Sequence, residues 1–211
     1  MGSIRVVLAD DHTLVREGIR AYLSSAGVDV VGEAEDGRDL VRRVQTTRPD
    51  VALVDVSMPL LNGIEAARRI ARVSPETRVV ILSMFKDAGY IAAAQEAGAW
   101  GYALKDEAPE CLLHTLERVV AGERTFPRAP GGPPPAGPSV SLTPREREVL
   151  QLAVEGKRAR EIAEILHRSV HTVRNHRARL MKKLGVHTVS ALAAKAEELG
   201  VVRFEAARRS P

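Results

Sequence analysis

The stretch Val51-Ala-Leu-Val-Asp-Val-Ser-Met-Pro59 predicts a buried strand that ends on an acid. Val51–Val54 is wholly apolar, as expected of a strand that is covered on both faces of a parallel sheet. Asp55 follows directly, and Pro59 and the pair Asn62-Gly63 then prevent the strand from continuing. In open parallel sheets, ligands bind beyond the carboxyl ends of the strands. A carboxylate is therefore predicted at the edge of the sheet where ligands bind.

Four further apolar runs have the length of strands, and segments with helical spacing lie between them. The predicted strands are Ile4–Ala9, Val28–Val31, Val51–Val54, Val79–Leu82 and Trp100–Leu104. Strands that alternate with helices of this length predict a parallel sheet with helices on both faces. Five such repeats predict an α/β, flavodoxin-like (βα)5 domain with the parallel strand order 2-1-3-4-5. Cys111 is followed by Leu112, Leu113 and Leu116 in the predicted fifth helix, which suggests a buried helix face, so we expect this cysteine to be buried and unreactive.

The character of the chain changes after residue 121. Residues 1–121 form the first predicted domain, and residues 122–141, rich in proline and glycine, are predicted to be an interdomain linker. Helical spacing without strands returns in residues 142–203, which predicts a second, all-α domain of four helices, and residues 204–211 are a short tail.

The two predicted domains differ in charge. Residues 1–121 carry 14 Lys and Arg against 18 Asp and Glu, a net charge of −4, whereas residues 142–211 carry 15 against 8, a net charge of +7. An acidic half joined to a basic half predicts nucleic acid as a partner of the second half.

Composition argues against membrane and secreted proteins. The 211 residues contain no run of eighteen apolar residues, so no membrane-spanning helix and no membrane partner are expected. The first five residues lead directly into a strand, which is not expected of a signal peptide. A single cysteine is incompatible with an internal disulfide framework and is typical of a reducing compartment, so we expect a cytoplasmic protein.

Polar side chains follow four of the five predicted strands. Asp10 and Asp11 follow the first strand, Asp55 follows the third, Ser83 ends the fourth and Lys105 follows the fifth. Each residue alone is common as a helix cap or on a surface, but the carboxyl ends of parallel strands meet at one edge. Crowded carboxylates recruit a cation, and hard oxygen ligands suit Mg²⁺. With Lys105 and Ser83 contacting phosphoryl oxygens, the pattern predicts an aspartyl-phosphate site with a carboxylate nucleophile.

The predicted third helix of the second domain has a basic outward face. On a helical wheel Val173, Leu180 and Leu184 share one side and form a core face. The opposite side carries His171, Arg174, Asn175, Ala178, Arg179 and Lys182. Arg and Asn are the side chains that contact guanine and adenine edges in the major groove. A short helix, a turn at residues 167–169 and this helix also follow the order of a helix-turn-helix.

The first domain resembles the receiver domain of two-component response regulators. The resemblance covers residues 3–121 and is carried by Val7-Leu-Ala-Asp-Asp-His12, Val54-Asp-Val-Ser-Met-Pro59 with Gly63, Leu82-Ser-Met84 and Gly98-Ala-Trp-Gly-Tyr-Ala-Leu-Lys105. It implies that Asp55 accepts a phosphoryl group from the phosphohistidine of a sensor histidine kinase. It also implies that Asp11, Asp55 and the Ser57 carbonyl bind Mg²⁺, with Asp10 contributing through water.

The same resemblance implies a switch formed by Ser83 and Tyr102. A hydroxyl drawn toward a newly added charge leaves space, and an aromatic ring one strand away can turn into that space. Such a pair is a two-state element that a charge-changing modification biases.

The second domain resembles the C-terminal DNA-binding domain of the NarL/LuxR type. The resemblance covers residues 142–202 and is carried by Leu142-Thr-Pro-Arg-Glu-Arg-Glu-Val-Leu150, Glu161-Ile-Ala163, Thr172-Val-Arg-Asn-His176 and Lys183-Leu-Gly-Val186. It implies that the third helix enters the major groove and that the fourth helix can dimerise. Carried over by position, Arg174 and Asn175 contact bases. The residues assigned to phosphates are Arg177, Arg179, Lys182 and Lys183, with further contacts from residues 157–160.

Together these features predict a transcriptional response regulator, not an enzyme. A sensor histidine kinase would phosphorylate Asp55, and a homodimer would bind an inverted repeat in double-stranded promoter DNA. Three alternatives remain open: a regulator that binds DNA without phosphorylation, an RNA-binding antiterminator, and an aspartate-nucleophile phosphatase or transferase. The enzyme is disfavoured because it needs a second acid to activate water, and Ser57 stands two residues after Asp55.

Overall fold

The computed structural model describes residues 2–127, 142–199 and 201. Tertiary contacts divide the chain into two compact units, residues 1–135 and residues 136–211. Residues 128–141, most of the predicted linker, and the predicted tail lie outside the described residues. Among the helices within them, none is both long and apolar enough to cross a membrane.

Over residues 2–127, the first unit alternates five strands with five helices. The strands are β1 (Arg5–Ala9), β2 (Asp29–Ala34), β3 (Val51–Asp55), β4 (Arg78–Ser83) and β5 (Gly101–Leu104). The helices are α1 (Thr13–Ser25), α2 (Gly37–Thr47), α3 (Gly63–Val73), α4 (Ala88–Glu96) and α5 (Pro109–Val120). All strand pairs are parallel in the order β2-β1-β3-β4-β5, which confirms the predicted order. The apolar run at Val28–Val31 predicted only the first half of β2, because this edge strand continues through Gly32, Glu33 and Ala34, which do not extend the run of large apolar residues.

The two central strands bring the acids together. β1 pairs with β3 from Val6 opposite Val51 to Ala9 opposite Val54. Asp10 and Asp55 are the next residues of the two strands, so they leave the sheet side by side. Successive side chains of a strand point to opposite faces, and the apolar β3 therefore contributes to the hydrophobic clusters on both faces of the sheet.

The prediction of a buried Cys111 is wrong, because this cysteine is exposed. The buried face of α5 consists of Leu112, Thr115, Leu116 and Val119, which follow helical spacing. Cys111 precedes this stripe by one residue, and one residue is a rotation of about 100° around a helix.

The chain after α5 runs back along the edge of the sheet. The Thr125 N–H donates to the Trp100 carbonyl at 2.9 Å, and the Tyr102 N–H donates to the Thr125 carbonyl at 2.9 Å. Phe126 packs against the core on the face that contains Tyr102. The first residues of the predicted linker, 122–126, therefore continue the first unit, and they attach directly to Tyr102.

All the regular elements among the described residues of the second unit are helices. It contains α6 (Pro144–Val154), α7 (Ala159–Ile165), α8 (Val170–Leu184) and α9 (Val189–Glu198). Thr143 and Glu146 form the predicted capping box, and Ser169 caps α8 by accepting from the Thr172 N–H. α8 ends as predicted at Gly185, whose φ of 66° is left-handed. Between α7 and α8, His167 also adopts a positive φ of 49°, which makes the turn tight.

We expect Glu146→Ala to destabilise the second unit by about 1 kcal/mol at pH 7. Its carboxylate accepts from the Thr143 N–H at 2.8 Å and from Lys183 Nζ at 2.9 Å. Partial burial raises the pKa of Glu146, but the hydrogen bonds from Lys183 and Thr143 outweigh burial and hold the pKa below its usual value. The stabilisation is therefore present at neutral pH and is lost as pH falls through the lowered pKa.

Urea unfolding at pH 7 and at pH 3 measures this effect. Glu197→Ala is the matched control, because Glu197 is exposed on α9. A loss that is the same at both pH values, or the same for the control, would contradict the assigned role of the charge.

Candidate functional site

The predicted acidic residues Asp10, Asp11 and Asp55 lie together at the carboxyl edge of the sheet, and the predicted Lys105 lies beside them. Asp10 and Asp55 are buried, with 0% and 4% of their surface exposed, whereas Asp11 is exposed. Lys105 Nζ lies 2.6 Å from Asp10 Oδ2 and 3.1 Å from Asp55 Oδ1. One ammonium group therefore bridges two buried carboxylates from neighbouring strands.

The site holds more negative charge than its lysine balances. Burial raises the pKa of Asp55 to about 6; Lys105 opposes this shift and Asp10 adds to it. Asp11 lies at the surface, but its side chain is only 34% exposed, and this partial burial raises its pKa. Burial alone would lower the pKa of Lys105, but the two carboxylates outweigh it and raise that pKa above its usual value. The ionised acids are thus penalised in the folded protein, and an added cation would relieve that penalty.

The residues present fit a divalent metal ion. One ligand atom from each of Asp10, Asp11, His12 and Asp55 lies within 4.8 Å of the others. Asp55 Oδ2 is buried and has no hydrogen-bond partner within the residues that the structure describes. Buried oxygen atoms without partners are rare, and hard carboxylate oxygens are the ligands that Mg²⁺ prefers.

His12 belongs to this cluster although the sequence assigned it no role. Its Nδ1 lies 3.0 Å from Asp11 Oδ1 and 3.3 Å from Asp10 Oδ1, and its N–H donates to Asp10 Oδ1 at 2.9 Å. The signal that could have identified His12 is its place directly after Asp10 and Asp11. The sequence did not show that the ring, although its side chain is 47% exposed, turns back at the start of α1 towards both acids.

Ser83 and Tyr102 are buried on neighbouring strands, with 1% and 3% of their surface exposed. The Ser83 hydroxyl accepts from the Phe85 N–H at 3.1 Å, and the Tyr102 hydroxyl donates to the Phe85 carbonyl at 2.8 Å. Both predicted switch residues therefore hold the same peptide segment. Burial raises the pKa of Tyr102 to about 12, so its hydroxyl stays protonated at neutral pH.

The loop after β3 passes very close to Asp55. Ser57 lies half-buried in this loop, and Asn62 caps α3 by accepting from the Glu65 N–H. Gly63 follows, and a Cβ at this residue would lie 2.0 Å from the Asp55 carbonyl oxygen. Glycine is therefore required here by the close approach of two backbone segments.

We expect Gly63→Ala to destabilise the first unit by about 3 kcal/mol, because neither backbone segment can move without displacing Asp55. Gly18→Ala is the matched control: Gly18 lies inside α1, and its added Cβ would meet nothing within 4 Å. That change should stabilise the unit by about 1 kcal/mol. Urea unfolding curves measure both, and equal stabilities of the two variants would refute the argument.

Helix α8 exposes the predicted basic face. The exposed residues are His171, Arg174, Asn175, Ala178, Arg179, Lys182 and Lys183, while Arg177 is half-buried. Val173, Leu180 and Leu184 are buried, as the helical wheel predicts. Arg174 also lines a concave surface together with Arg158 and Arg160 from the start of α7. Three arginines therefore line one depression.

Two contacts on α8 were not predicted from the sequence. Asn175 Nδ2 lies 3.1 Å from His171 Nε2, one helical turn earlier. Lys183 forms an ion pair with Glu146, so its ammonium has a partner within the unit. The sequence could not show either contact, because both depend on side-chain conformation.

Both halves of the chain match known families. Residues 6–117 match the model of the response regulator receiver domain, and residues 140–196 match that of the luxR family of bacterial regulatory proteins. The chain is 41% identical over 194 residues to the uncharacterised transcriptional regulatory protein YxjL of Bacillus subtilis, covering 85% of this chain and 88% of that protein. It is 36% identical over 194 residues to the response regulator UvrY of Escherichia coli K12, covering 87% and 89%.

A solved structure shows the same combination of domains. RcsB from Salmonella enterica serovar Typhimurium, bound to promoter rprA in the presence of the phosphomimetic BeF3−, is 30% identical, with a TM-score of 0.61. The alignment covers 93% of this chain and 99% of that one. The receiver match alone spans more than half of this chain. The chain therefore belongs to the two-component response regulators that combine a receiver domain with a LuxR-type helix-turn-helix domain, a family of transcriptional regulators that are not enzymes.

Proposed function

We propose that a sensor histidine kinase phosphorylates this regulator on Asp55 and that phosphorylation controls the binding of α8 to promoter DNA. The observation that carries the proposal is the environment of the Asp55 carboxylate. One oxygen lies 3.1 Å from Lys105 Nζ, and the other is buried without a partner in the described part of the chain. An oxygen without a partner gives up no hydrogen bond when the carboxylate binds a cation or forms a bond to phosphorus.

In this proposal Asp10, Asp11 and Asp55 hold Mg²⁺ together with the Ser57 carbonyl. When bound, the ion supplies positive charge that offsets the charge of the incoming phosphoryl group. Lys105 supplies a second positive charge, because its ammonium can move from the carboxylates to a phosphoryl oxygen as a point charge. An Asp55 oxygen forms the new bond to phosphorus while the phosphorus–nitrogen bond to the kinase histidine breaks.

Ser83 and Tyr102 would report the modification. A phosphoryl oxygen on Asp55 offers the Ser83 hydroxyl an acceptor, which competes with its present contact to Phe85. Tyr102 holds the other side of Phe85, so a shift of this segment changes its environment. Because residues 122–126 attach to Tyr102 through the Thr125 carbonyl, the change reaches the start of the predicted linker.

The basic face of α8 supports the DNA-binding half of the proposal. Arg174 and Asn175 are assigned to base edges, while His171 and Ala178 share the same exposed face. The residues assigned to phosphates are Arg177, Arg179, Lys182 and Lys183. Two copies would bind an inverted repeat as a homodimer. RcsB has been solved as two dimers bound to two parallel DNAs, which supports this arrangement by analogy.

We further propose that residues 1–121, with residues 122–126 packed against them, and residues 142–203 are separate domains joined by the Pro- and Gly-rich stretch. We also propose that the regulator works in the cytoplasm, where its kinase and promoter meet. The central test is incubation of the full chain with acetyl phosphate, with and without Mg²⁺, followed by mass spectrometry of the intact protein. We expect one phosphoryl group per chain, only with the metal. Uptake that is independent of Mg²⁺ would refute the metal site.

The alternatives are tested with the same protein. Gel shifts with duplex promoter DNA, before and after phosphorylation, separate a phosphorylation-controlled regulator from one that binds constitutively. Competition with RNA of the same sequence tests the antiterminator, and RNA binding tighter than DNA binding would favour it.

A further inference from the structure

Arg16 is a buried arginine next to the acidic cluster and is not among the residues of the proposed site. It lies on α1, and only 7% of its surface is exposed. A buried guanidinium must be paired and hydrogen-bonded, because its desolvation is otherwise costly. The contacts of the Arg16 guanidinium therefore indicate its role in the fold.

The guanidinium of Arg16 joins two segments that follow neighbouring strands. Nη1 donates to the Asp10 carbonyl at 2.6 Å, and Nη2 donates to Glu35 Oε1 at 2.8 Å. Nε lies 3.3 Å from Glu33 Oε2. Asp10 follows β1, whereas Glu35 follows β2, so one side chain fixes the distance between the two strand ends.

The contact with Asp10 is made to the main chain, not to the carboxylate. The Asp10 carboxylate is occupied on the other side, where it meets Lys105 and accepts from the His12 N–H. The Asp10 N–H donates to the Ala34 carbonyl at 3.1 Å. The peptide that links Asp10 to Asp11 is thus held by Arg16 through its carbonyl, and this peptide sets where both carboxylates point.

We propose that Arg16 is a positioning residue for divalent-cation binding. It holds the Asp10–Asp11 peptide in place through the Asp10 carbonyl and so orients both carboxylates. This inference rests on the proposed metal site. Groups that orient metal ligands without touching the metal typically contribute 10–100-fold to metal affinity. The planar fork of arginine suits this task, because it bonds the carbonyl and both glutamates from one rigid group.

Removal of the Arg16 charge should leave a folded protein. The side chain of Glu33 is 35% exposed and that of Glu35 is 71% exposed, so water can solvate both acids when the guanidinium is absent. Arg20 offers a matched control on the same helix. Its Nε lies 3.4 Å from Glu33 Oε1, and its side chain is half exposed, whereas that of Arg16 is buried.

The test compares Arg16→Met with Arg20→Met in the full, unphosphorylated chain. Mn²⁺ is the probe, because free Mn²⁺ is counted directly by electron paramagnetic resonance, and Mg²⁺ affinity follows by competition. We expect Arg16→Met to weaken Mn²⁺ binding about 10-fold and Arg20→Met to change it less than about twofold. The thermal unfolding midpoint of the metal-free protein is measured in parallel, since a merely structural role would lower that midpoint without changing metal affinity.

Arg16→Lys keeps the experiment decisive if the methionine variant does not fold. Lysine retains the positive charge, but its ammonium cannot contact the Asp10 carbonyl and both glutamates at once. The Arg16→Lys variant should therefore also bind Mn²⁺ several-fold more weakly than the wild type. Wild-type affinity in a folded Arg16 variant would overturn the role of Arg16 and leave the metal site standing. If the wild type itself binds no Mn²⁺, the metal site fails and the role of Arg16 fails with it.

Discussion

Asp55→Asn should abolish phosphate uptake while leaving the protein folded. The amide has nearly the shape of the carboxylate but lacks its charge and its nucleophilic oxygen. Stability should be preserved or increased at pH 7. The pKa of Asp55 is raised by burial to about 6, so its ionised form is less stable in the folded protein than in the unfolded chain. A carboxyl group whose pKa is higher in the folded than in the unfolded state destabilises the fold once the pH exceeds its unfolded-state pKa. Asparagine has no such charge and removes that penalty.

The measurement is incubation with acetyl phosphate and Mg²⁺, followed by mass spectrometry of the intact protein and urea unfolding of the same preparation. Asp50→Asn is the matched control. Asp50 precedes the same strand at its opposite end, where its Oδ2 accepts from the Arg5 N–H at 2.8 Å, a contact that asparagine can keep. The control should take up phosphate like the wild type. If a folded Asp55→Asn protein still took up phosphate, another residue would be the phosphoryl acceptor.

The residues that meet at the sheet edge were predictable because strand order alone determines their neighbours. Once Val51–Val54 is recognised as a central parallel strand, Asp55 must lie beside the residue that follows β1. Lys105 was predictable for the same reason, although its bridge between two carboxylates depends on a side chain long enough to cross from β5. Helix starts were also predictable, since Thr143 and Ser169 cap through local hydrogen bonds.

The residues that sequence reasoning missed depend on contacts between distant segments. Arg16 has an ordinary place on an amphipathic helix, and only the fold brings Glu33 and Glu35 beneath it. The wrong prediction for Cys111 has a different cause. Apolar neighbours in sequence were taken for a shared face, whereas helical geometry places adjacent residues about 100° apart. Conclusions drawn from strand topology were therefore reliable, and those drawn from sequence adjacency in a helix were not.

Arg174→Ala should cost about 1–3 kcal/mol of binding free energy at the preferred base pair of the promoter. Arg174 is exposed on α8, one turn before Ala178. In the proposed complex the small side chain of Ala178 would let the helix approach the groove closely. A guanidinium that reaches a base edge forms two hydrogen bonds to guanine, which no other base pair reproduces. The loss should therefore appear on the preferred sequence and be small on a sequence changed at that position.

Lys182→Ala provides the contrast that tests this assignment. Lys182 is exposed two turns further along α8 and is assigned to a phosphate, so its loss should weaken binding to all sequences alike. It should also reduce the salt dependence of binding by about one released counterion. Fluorescence anisotropy at two salt concentrations, with the preferred duplex and the changed duplex, measures both variants. If Arg174→Ala lost the same affinity on both duplexes, its guanidinium would be a backbone contact, and the base-specific role would pass to another residue of the exposed face.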